Sequence, residues 1–351
     1  VLALLAVLLI KAQPAHAGPT TADLPRGPLH PAGRWIKDGT GRVVIIHGLE
    51  VARKTPPYYG PPESFTAQDA QNIEDWGFDA VRLAWFWKGL EPVRGQIDSA
   101  YLAQIVREGT LLADHHVFTL LEAHQDGYNE QLGGAGFPDW ATITDGTWDA
   151  VEHVPGTGIF DLQAARAFDN LYANTHGIGD AFAHAWAAMA AGFDHNPMML
   201  GYDLFNEPGT GSQWATCANP VGCPAFDLAT LEPLEVRVAA AIRAVDPATV
   251  AFYEPHIYFD VGVPSWLRAP PRRSGPSGFA FHDYCLAGLT ANPDHETQAF
   301  AYPTCPLENV LVFANALRAA AVMGVPPLFD EFGDTQDLSH VERMIALGDS
   351  N

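Results

Sequence analysis

Leu204-Phe205-Asn206-Glu207-Pro208 and Leu328-Phe329-Asp330-Glu331-Phe332-Gly333 decide the reading of this chain. Each is a short apolar run that ends in a carboxylate. Pro208 has no N–H to give to a ladder, so the first run stops where Glu207 emerges. A barrel of alternating strands and helices presents its functional groups in this way, at the carboxyl ends of its parallel strands.

Outward from these two stretches the same alternation recurs. Apolar runs at Val43–Ile46, Ala80–Leu83, Val117–Leu121, Met199–Leu204, Val250–Tyr253, Gly278–Phe281 and Pro327–Phe329 read as strands. Stretches of helical periodicity lie between them: Thr66–Trp76, Tyr101–His115, a long Ala-rich segment Ala164–Gly192, Leu231–Val245, Leu307–Met323 and the start of another at Val341–Leu347. Strand–helix alternation of this kind specifies an α/β parallel barrel. The expected fold is a (β/α)₈ TIM barrel that ends before or at its eighth strand, because no run remains for that strand. Neither a repeat nor a linker divides the chain into two domains.

Composition narrows the function. The formal net charge is −22 and only 17% of residues are charged. Phosphate backbones require a basic face, so nucleic acid is an unexpected partner. Electrostatic docking on anionic membranes is disfavoured for the same reason. Val1–Ile10 is an unbroken apolar run followed by Ala15-His16-Ala17, a small-x-small pattern. It reads as a partial signal peptide over residues 1–17, against the competing readings of an uncleaved anchor or a buried helix. The run is shorter than the roughly 20 residues needed to span a bilayer. The expectation is a catalytic domain over 18–351, secreted or extracellular (periplasmic in a Gram-negative cell), with no membrane span after signal removal. Export makes the four cysteines candidate disulfides. Three pairings exist; Cys217–Cys223 is the local choice, which leaves Cys285–Cys305. No CxxC spacing suggests a metal.

The strand ends carry the chemistry. A general acid that works near neutral pH needs its pKa raised by burial or by a neighbouring carboxylate. Glu207 is placed for that role, and Asn206 beside it for a hydrogen bond to a sugar 2-hydroxyl. Glu331 is placed as the second carboxylate. Two carboxyl groups roughly 5–5.5 Å apart define a retaining glycosidase, in which one attacks the anomeric carbon. A Glu at a surface turn is the plain alternative for Glu207 taken alone. Asp330 competes with Glu331, but strand alternation predicts that the two point to opposite sides. Glu254, in Phe252-Tyr253-Glu254-Pro255-His256, is a third strand-end Glu and ranks below Glu331.

Arg82 interrupts an apolar strand, and an unpaired buried guanidinium is costly, so a carboxylate partner is expected. Either it is a structural ion pair or it orients Glu331 or Glu207. His282 and Tyr284 follow the sixth strand, with Tyr284 placed to hydrogen-bond the nucleophile. His124-Gln125-Asp126 admits two readings: sugar recognition, or a metal site shared with His256, His282 and Asp283. No early His-x-His supports the metal. Among the nine tryptophans, Trp85, Trp87 and Trp140 lie near strand ends and are candidates for stacking on sugar, against ordinary packing.

With these residues assembled the chain resembles glycoside hydrolase family five, and within it the endoglycoceramidase group. Val81-Arg82-Leu83, His124-Gln125-Asp126, the loop Gly133–Ala141, Gly201–Pro208, His282-Asp283-Tyr284 and Asp330-Glu331-Phe332-Gly333 carry the likeness, over about residues 35–345. The resemblance implies a TIM barrel, a retaining mechanism without cofactor, Glu207 as acid/base and Glu331 as nucleophile. It also implies Lys54 as a polar substrate contact. The implied substrate is a glycosphingolipid cut between β-glucose and ceramide, with transient contact at lipid surfaces or micelles. That group also has an eighth strand bearing a Trp and a C-terminal β-sandwich, neither found in this sequence. A ceramide groove is expected from the loops Gly133–Ala141 and Val261–Pro271, with Trp266 and Leu267 exposed. A β-glucanase or cellulase-like enzyme acting on an oligosaccharide, another β-glycosidase of the same family for other aglycones, a noncatalytic glycan- or glycolipid-binding barrel, and a metallohydrolase are the other readings.

Overall fold

The computed structural model describes residues 24–25, 27–148, 161–268, 275–284, 305–333 and 338–351. The segment read as a signal peptide and Cys285 lie outside them. Seven strands form one parallel sheet in chain order: β3 (Gly48–Val51), β4 (Ala80–Trp85), β5 (Phe118–Ala123), β6 (Met199–Asp203), β7 (Ala251–Tyr253), β8 (Ser277–His282) and β9 (Pro327–Glu331). The intervening helices include α1 (Ala67–Asp75), α2 (Ser99–Asp114), α3 (Leu162–Tyr172), α4 (Ile178–Phe193), α5 (Glu232–Arg243), α6 (Cys305–Met323) and α7 (Leu338–Ser350). The architecture is that of a (β/α)₈ barrel, with seven barrel strands among the described residues.

The barrel interior is built in layers. Ala80, Phe118, Leu120, Leu200, Phe252, Ala280 and Leu328 form one apolar cluster, which the hairpin of β1 (His30–Ala32) and β2 (Trp35–Lys37) joins through Leu29 and Ile36. Phe252 fills this layer because its neighbours are glycines. A Cβ on Gly201 or Gly278 would lie 2.4 or 2.3 Å from its ring. Two residues further along the strands stand Arg82, Glu122, Glu254 and His282, all buried, and Asp330, whose side chain is 3% exposed. Side chains repeat every second residue along a strand, so an apolar floor at Ala80, Leu120, Phe252, Ala280 and Leu328 places a charged layer directly above it. The outer faces of the strands pack on the helices through Val81, Leu83, Trp85, Leu121, Trp186 and their neighbours.

Two sequence assignments are corrected here. The first barrel strand is Gly48–Val51, and Val43–Ile46 belongs to the base. Val44 donates its N–H to the Ile36 carbonyl at 3.0 Å, and Val44 and Ile46 pack on the apolar floor. Val43 and Ile45 are 44% and 61% exposed. Gly48–Val51 is the run that pairs in parallel with β4, with Glu50 opposite Arg82, whereas Val43 bridges antiparallel to Lys37 of β2. The long Ala-rich segment is two helices. The chain turns left-handed at Asn174 (φ 54°), His176 (φ 51°) and Gly177 (φ 77°). Asn and Gly are residues that tolerate that conformation and end helices. The local disulfide is present as Cys217–Cys223. Cys305 is disulfide-bonded as well.

Candidate active site

Arg82 of β4 organises the charged layer. Its guanidinium has five N–H donors in a rigid fork, and five acceptors meet them. Nε donates to Asp330 Oδ2 at 3.2 Å. Nη1 donates to Glu331 Oε2 at 2.5 Å and to Glu50 Oε1 at 3.1 Å. Nη2 donates to Asp203 Oδ2 and to Asn206 Oδ1, both at 2.8 Å. The expected carboxylate partner is therefore a set of carboxylates, and the guanidinium does orient Glu331.

Glu331 is gripped on both oxygens, since the Tyr284 hydroxyl donates to Oε1 at 2.8 Å. Burial pushes its carboxyl up, but His282, Arg82, His124 and Lys54 outweigh this and hold it down to about 2. The group is thus an anion at neutral pH, as a nucleophile must be. Asp330 does not point away, contrary to strand alternation. The pairing of β8 with β9 slips between Phe281 and His282, so that Phe281 faces Phe329 and His282 faces Glu331. An extra residue of this kind is a β-bulge, which re-aims side chains. It brings Asp330 and Glu331 onto the same guanidinium.

Glu207 sits one turn beyond β6 in a left-handed conformation (φ 44°), which is rare for a residue with a Cβ. The surroundings hold it there. Its N–H donates to Glu254 Oε1 at 2.6 Å, and its carbonyl accepts from Gln125 Nε2 at 2.9 Å. The side chain reaches His282, with Oε1 3.0 Å from Nδ1. One oxygen of Glu207, one nitrogen of His282 and one oxygen of Glu331 all lie within 4.8 Å of one another. Glu254 is buried and is spent bracing the Glu207 backbone. Burial and the nearby Asp203 carboxylate raise its pKa well above the usual range, so it is a poor nucleophile.

The remaining strand-end residues form a polar arm. Lys54 Nζ lies 3.1 Å from Asp126 Oδ2, His124 Nε2 lies 3.4 Å from the same oxygen, and His124 Nδ1 lies 2.7 Å from Glu122 Oε1. Lys54 and Asp126 are partly exposed, while His124 is buried beneath them. Gln125 and Asn206 lock β5 to β6: Gln125 Nε2 donates to the Asn206 carbonyl at 3.0 Å and Asn206 Nδ2 donates to the Gln125 carbonyl at 3.0 Å. Asn206 is fully buried in this arrangement.

Several candidates fall elsewhere. Trp85 and Trp87 are core residues, packed edge-on against Trp186 and Trp140. Trp140 stays partly exposed, but its Nε1 donates to the Glu91 carbonyl and Arg94 lies over its ring. In the loop Gly133–Ala141, Phe137 is buried and stacks on Tyr128 at 4.4 Å, so its ring serves the core. Leu267 is buried rather than exposed, whereas Trp266 is 39% exposed. Residues 269–271 of the second loop lie outside the described set. Of the five residues of the metal reading, His124 and Asp126 stay together, 3.4 Å apart, while His256 and Asp283 fall in other surroundings. Asp283 accepts from Asn309 of α6, and His256 faces Asp227 at 3.8 Å. His282 and His124 stay in the charged layer, beside Glu331 and Glu122 respectively.

Sequence reading missed Glu50, Glu122 and Asp203 as members of the site. The signal was present: each is an acid inside an apolar strand, the same anomaly that singled out Arg82. Glu50 is hidden from the sequence because the apolar run Val43–Ile46 just before it reads as the first strand.

These groups give stability a definite pH dependence. Burial pushes Asp227 up to about 7, and burial together with Glu331 does the same to Glu50. Both hold protons in the folded state that the unfolded chain has released above about pH 4–4.5, so stability falls as pH rises toward 7. Burial disfavours the charged forms of His124 and His282, but Glu122 and Asp126 around the first and Glu254 and Glu331 around the second raise both. Their contribution is complete below about pH 6.5 and is lost on further alkalinisation. Glu331, held down to about 2, acts oppositely: its contribution is present above about pH 4.5 and is lost as pH falls. Thermal melts are expected to show maximal Tm between about pH 4.5 and 6, with a decline toward pH 8 that Asp227→Asn flattens. A Tm that rises from pH 5 to 8 would contradict this assignment.

A parallel barrel with two carboxylates converging at its strand ends, one ionised and gripped by Arg and Tyr, defines a barrel glycoside hydrolase site. The chain belongs to glycosyl hydrolase family 5: the model of that family, described as cellulase (glycosyl hydrolase family 5), matches residues 38–347. It is similar to endoglycoceramidase I of Rhodococcus hoagii (strain 103S), 34% identical over 309 residues, covering 86% of this chain and 62% of that protein. Its structure is similar to that of endo-glycoceramidase II from Rhodococcus sp. in a cellobiose-like imidazole complex. The TM-score is 0.75 with 29% identity, over 89% of this chain and 72% of that one. The ganglioside GM3 complex of the same Rhodococcus protein matches with a TM-score of 0.75 and 27% identity, over 90% of this chain and 74% of that one. The chain spans 62%, 50% and 51% of the length of three curated relatives it matches.

Proposed function

We propose that the protein is a retaining β-glycosidase that hydrolyses the bond between β-glucose and ceramide in glycosphingolipids, with Glu207 as acid/base and Glu331 as nucleophile. The observation that carries the mechanism is the approach of Glu207 and Glu331 oxygens to within 4.8 Å. Inverting sites hold their carboxyl groups roughly 6.5–9.5 Å apart to admit a water, whereas retaining sites need only about 5–5.5 Å. In the first step Glu331 attacks the anomeric carbon and Glu207 gives its proton to the departing oxygen. In the second, Glu207 removes a proton from water, which displaces Glu331. Arg82 and Tyr284 hold the nucleophile in line, and His282 positions the Glu207 carboxyl. Lys54 and Asp126, at the outer end of the polar arm, are placed to contact sugar hydroxyls. The glycolipid assignment is supported by the endoglycoceramidase names of the relatives and by the GM3 complex of the Rhodococcus protein. Export is a further part of the proposal, supported by the Cys217–Cys223 disulfide, since such bonds persist in oxidising compartments.

Product analysis tests it. The protein is incubated with fluorescent lactosylceramide and, in parallel, with cello-oligosaccharides. Release of intact lactose and ceramide is the expected result. Cleavage of cello-oligosaccharides alone would keep the carboxylate pair and sink the glycolipid assignment. Binding without cleavage of either would favour a noncatalytic barrel.

A further inference from the structure

Glu50 stands at the carboxyl end of β3, in register with Arg82 of β4. Its Oε1 and Glu331 Oε2 contact the same guanidinium nitrogen, at 3.1 and 2.5 Å. The side chain is 24% exposed, compared with 10% for Glu331, so it has access to water at the site. The charged groups that face it are Arg82 of β4, Glu122 of β5, His124 beyond β5, Lys54 beyond β3 and Glu331 of β9. Two carboxylates on one nitrogen do not both ionise freely, because each charge opposes the other. Here the proton belongs to Glu50. Burial and the Glu331 charge push Glu50 up to about 7, while Glu331 is held down to about 2.

The proposed reaction, on which this inference rests, removes the charge of Glu331 midway. When Glu331 becomes a glycosyl ester it ceases to be an anion, and the main coulombic obstacle to ionising Glu50 disappears. We propose that Glu50 is a positioning residue that carries the compensating charge of the covalent step: it holds a proton while Glu331 is an anion and releases it when Glu331 becomes the sugar ester. In the first step the C1–O bond to the aglycone breaks, the bond from Glu331 to C1 forms, Glu207 protonates the leaving oxygen, and Glu50 loses its proton to solvent. In the second step water attacks C1, Glu207 takes a proton from that water, the ester bond breaks, and Glu50 recovers a proton from solvent as Glu331 regains its charge. Arg82 Nη1 therefore keeps an anionic partner throughout.

The test counts protons on covalent trapping. A 2-deoxy-2-fluoro-β-glucoside with a dinitrophenolate leaving group forms the ester without needing a general acid, and its leaving group departs as an anion. In Glu207→Gln protein the acid/base residue contributes no proton, so release reports other groups. In weakly buffered indicator at pH 7, trapping of Glu207→Gln is expected to release about half a proton per site, the fraction held by a group with a midpoint near 7. Trapping of Glu207→Gln/Glu50→Gln is expected to release none. Mass spectrometry of the adduct shows that each variant is folded and reactive. Should the double variant fail to fold, Glu207→Gln/Glu50→Asp is used, and its release midpoint should shift. No release from Glu207→Gln, or equal release from the double variant, overturns the role of Glu50. Failure of the wild type to form any adduct overturns the retaining mechanism instead, and the lipid substrate does not enter this test.

Discussion

Glu331→Gln is expected to lower kcat/KM by roughly 10⁴- to 10⁶-fold, the scale on which enzymes lose activity when a covalent nucleophile is removed. The amide is nearly isosteric, so the loss reports charge and not shape. Arg82 Nη1 and the Tyr284 hydroxyl both donate to the Glu331 carboxylate. Gln offers one oxygen and one NH₂ group; the oxygen faces Arg82, and Tyr284 must turn to accept. The variant therefore keeps the fold and loses the attack. A smaller replacement separates nucleophile from bystander. Glu331→Gly with added azide should yield an α-glycosyl azide, because the anion enters from the face that Glu331 occupied. If Glu331→Gln retained more than about 1% of activity while Glu254→Gln lost it, the nucleophile would be Glu254. The brace from Glu254 to the Glu207 N–H predicts a milder defect for Glu254→Gln, whose carbonyl oxygen still accepts that bond.

Arg82→Met is expected to destabilise the fold by about 3–5 kcal/mol, the usual cost of removing one partner from buried charges. Native domains have only about 5–15 kcal/mol in total, so the variant stands near global unfolding. Asp330, Asp203, Asn206, Glu50 and Glu331 would all lose a donor at once. Arg82→Lys should rescue little, since a point ammonium with three donors does not match a five-acceptor fork. The urea midpoint measures the effect, and its pH dependence identifies the cause. Burial raises Asp330 and Glu254 well above their usual range, and acidification completes the protonation of the layer. The penalty of Arg82→Met should therefore shrink between pH 7 and pH 4.5. An unchanged midpoint, or a penalty independent of pH, would show that Arg82 does not neutralise this layer.

The two predictions differ in how far the sequence anticipates them. Glu207 and Glu331 are legible because each follows an apolar run and meets a break, Pro208 or Gly333. Arg82 is legible as an anomaly, a charge between Val81 and Leu83, yet its partners are not. Asp203, Glu50 and Asp330 come from β6, β3 and β9, three segments far apart in the chain that only barrel closure brings together. The tryptophans fail for a related reason: position near a strand end does not say which side of the strand a ring faces. Trp85 falls on the outer side, against Trp186.

The amino-acid sequence by itself determined the barrel class, six of the seven barrel strands, the two catalytic candidates and the local disulfide. These rest on short-range physics: apolar runs, helical periodicity, the stop imposed by Pro or Gly, and cysteines six residues apart. Only the tertiary structure decided which carboxylate holds a proton. That depends on burial and on charges contributed by other strands, so Glu50 and Glu331, both simply Glu in the sequence, are driven to about 7 and about 2. It also decided that Asp330 and Glu331 share one guanidinium, through a single slip in pairing between β8 and β9. Strand alternation is a local rule, and a bulge breaks it for reasons set by the neighbouring strand.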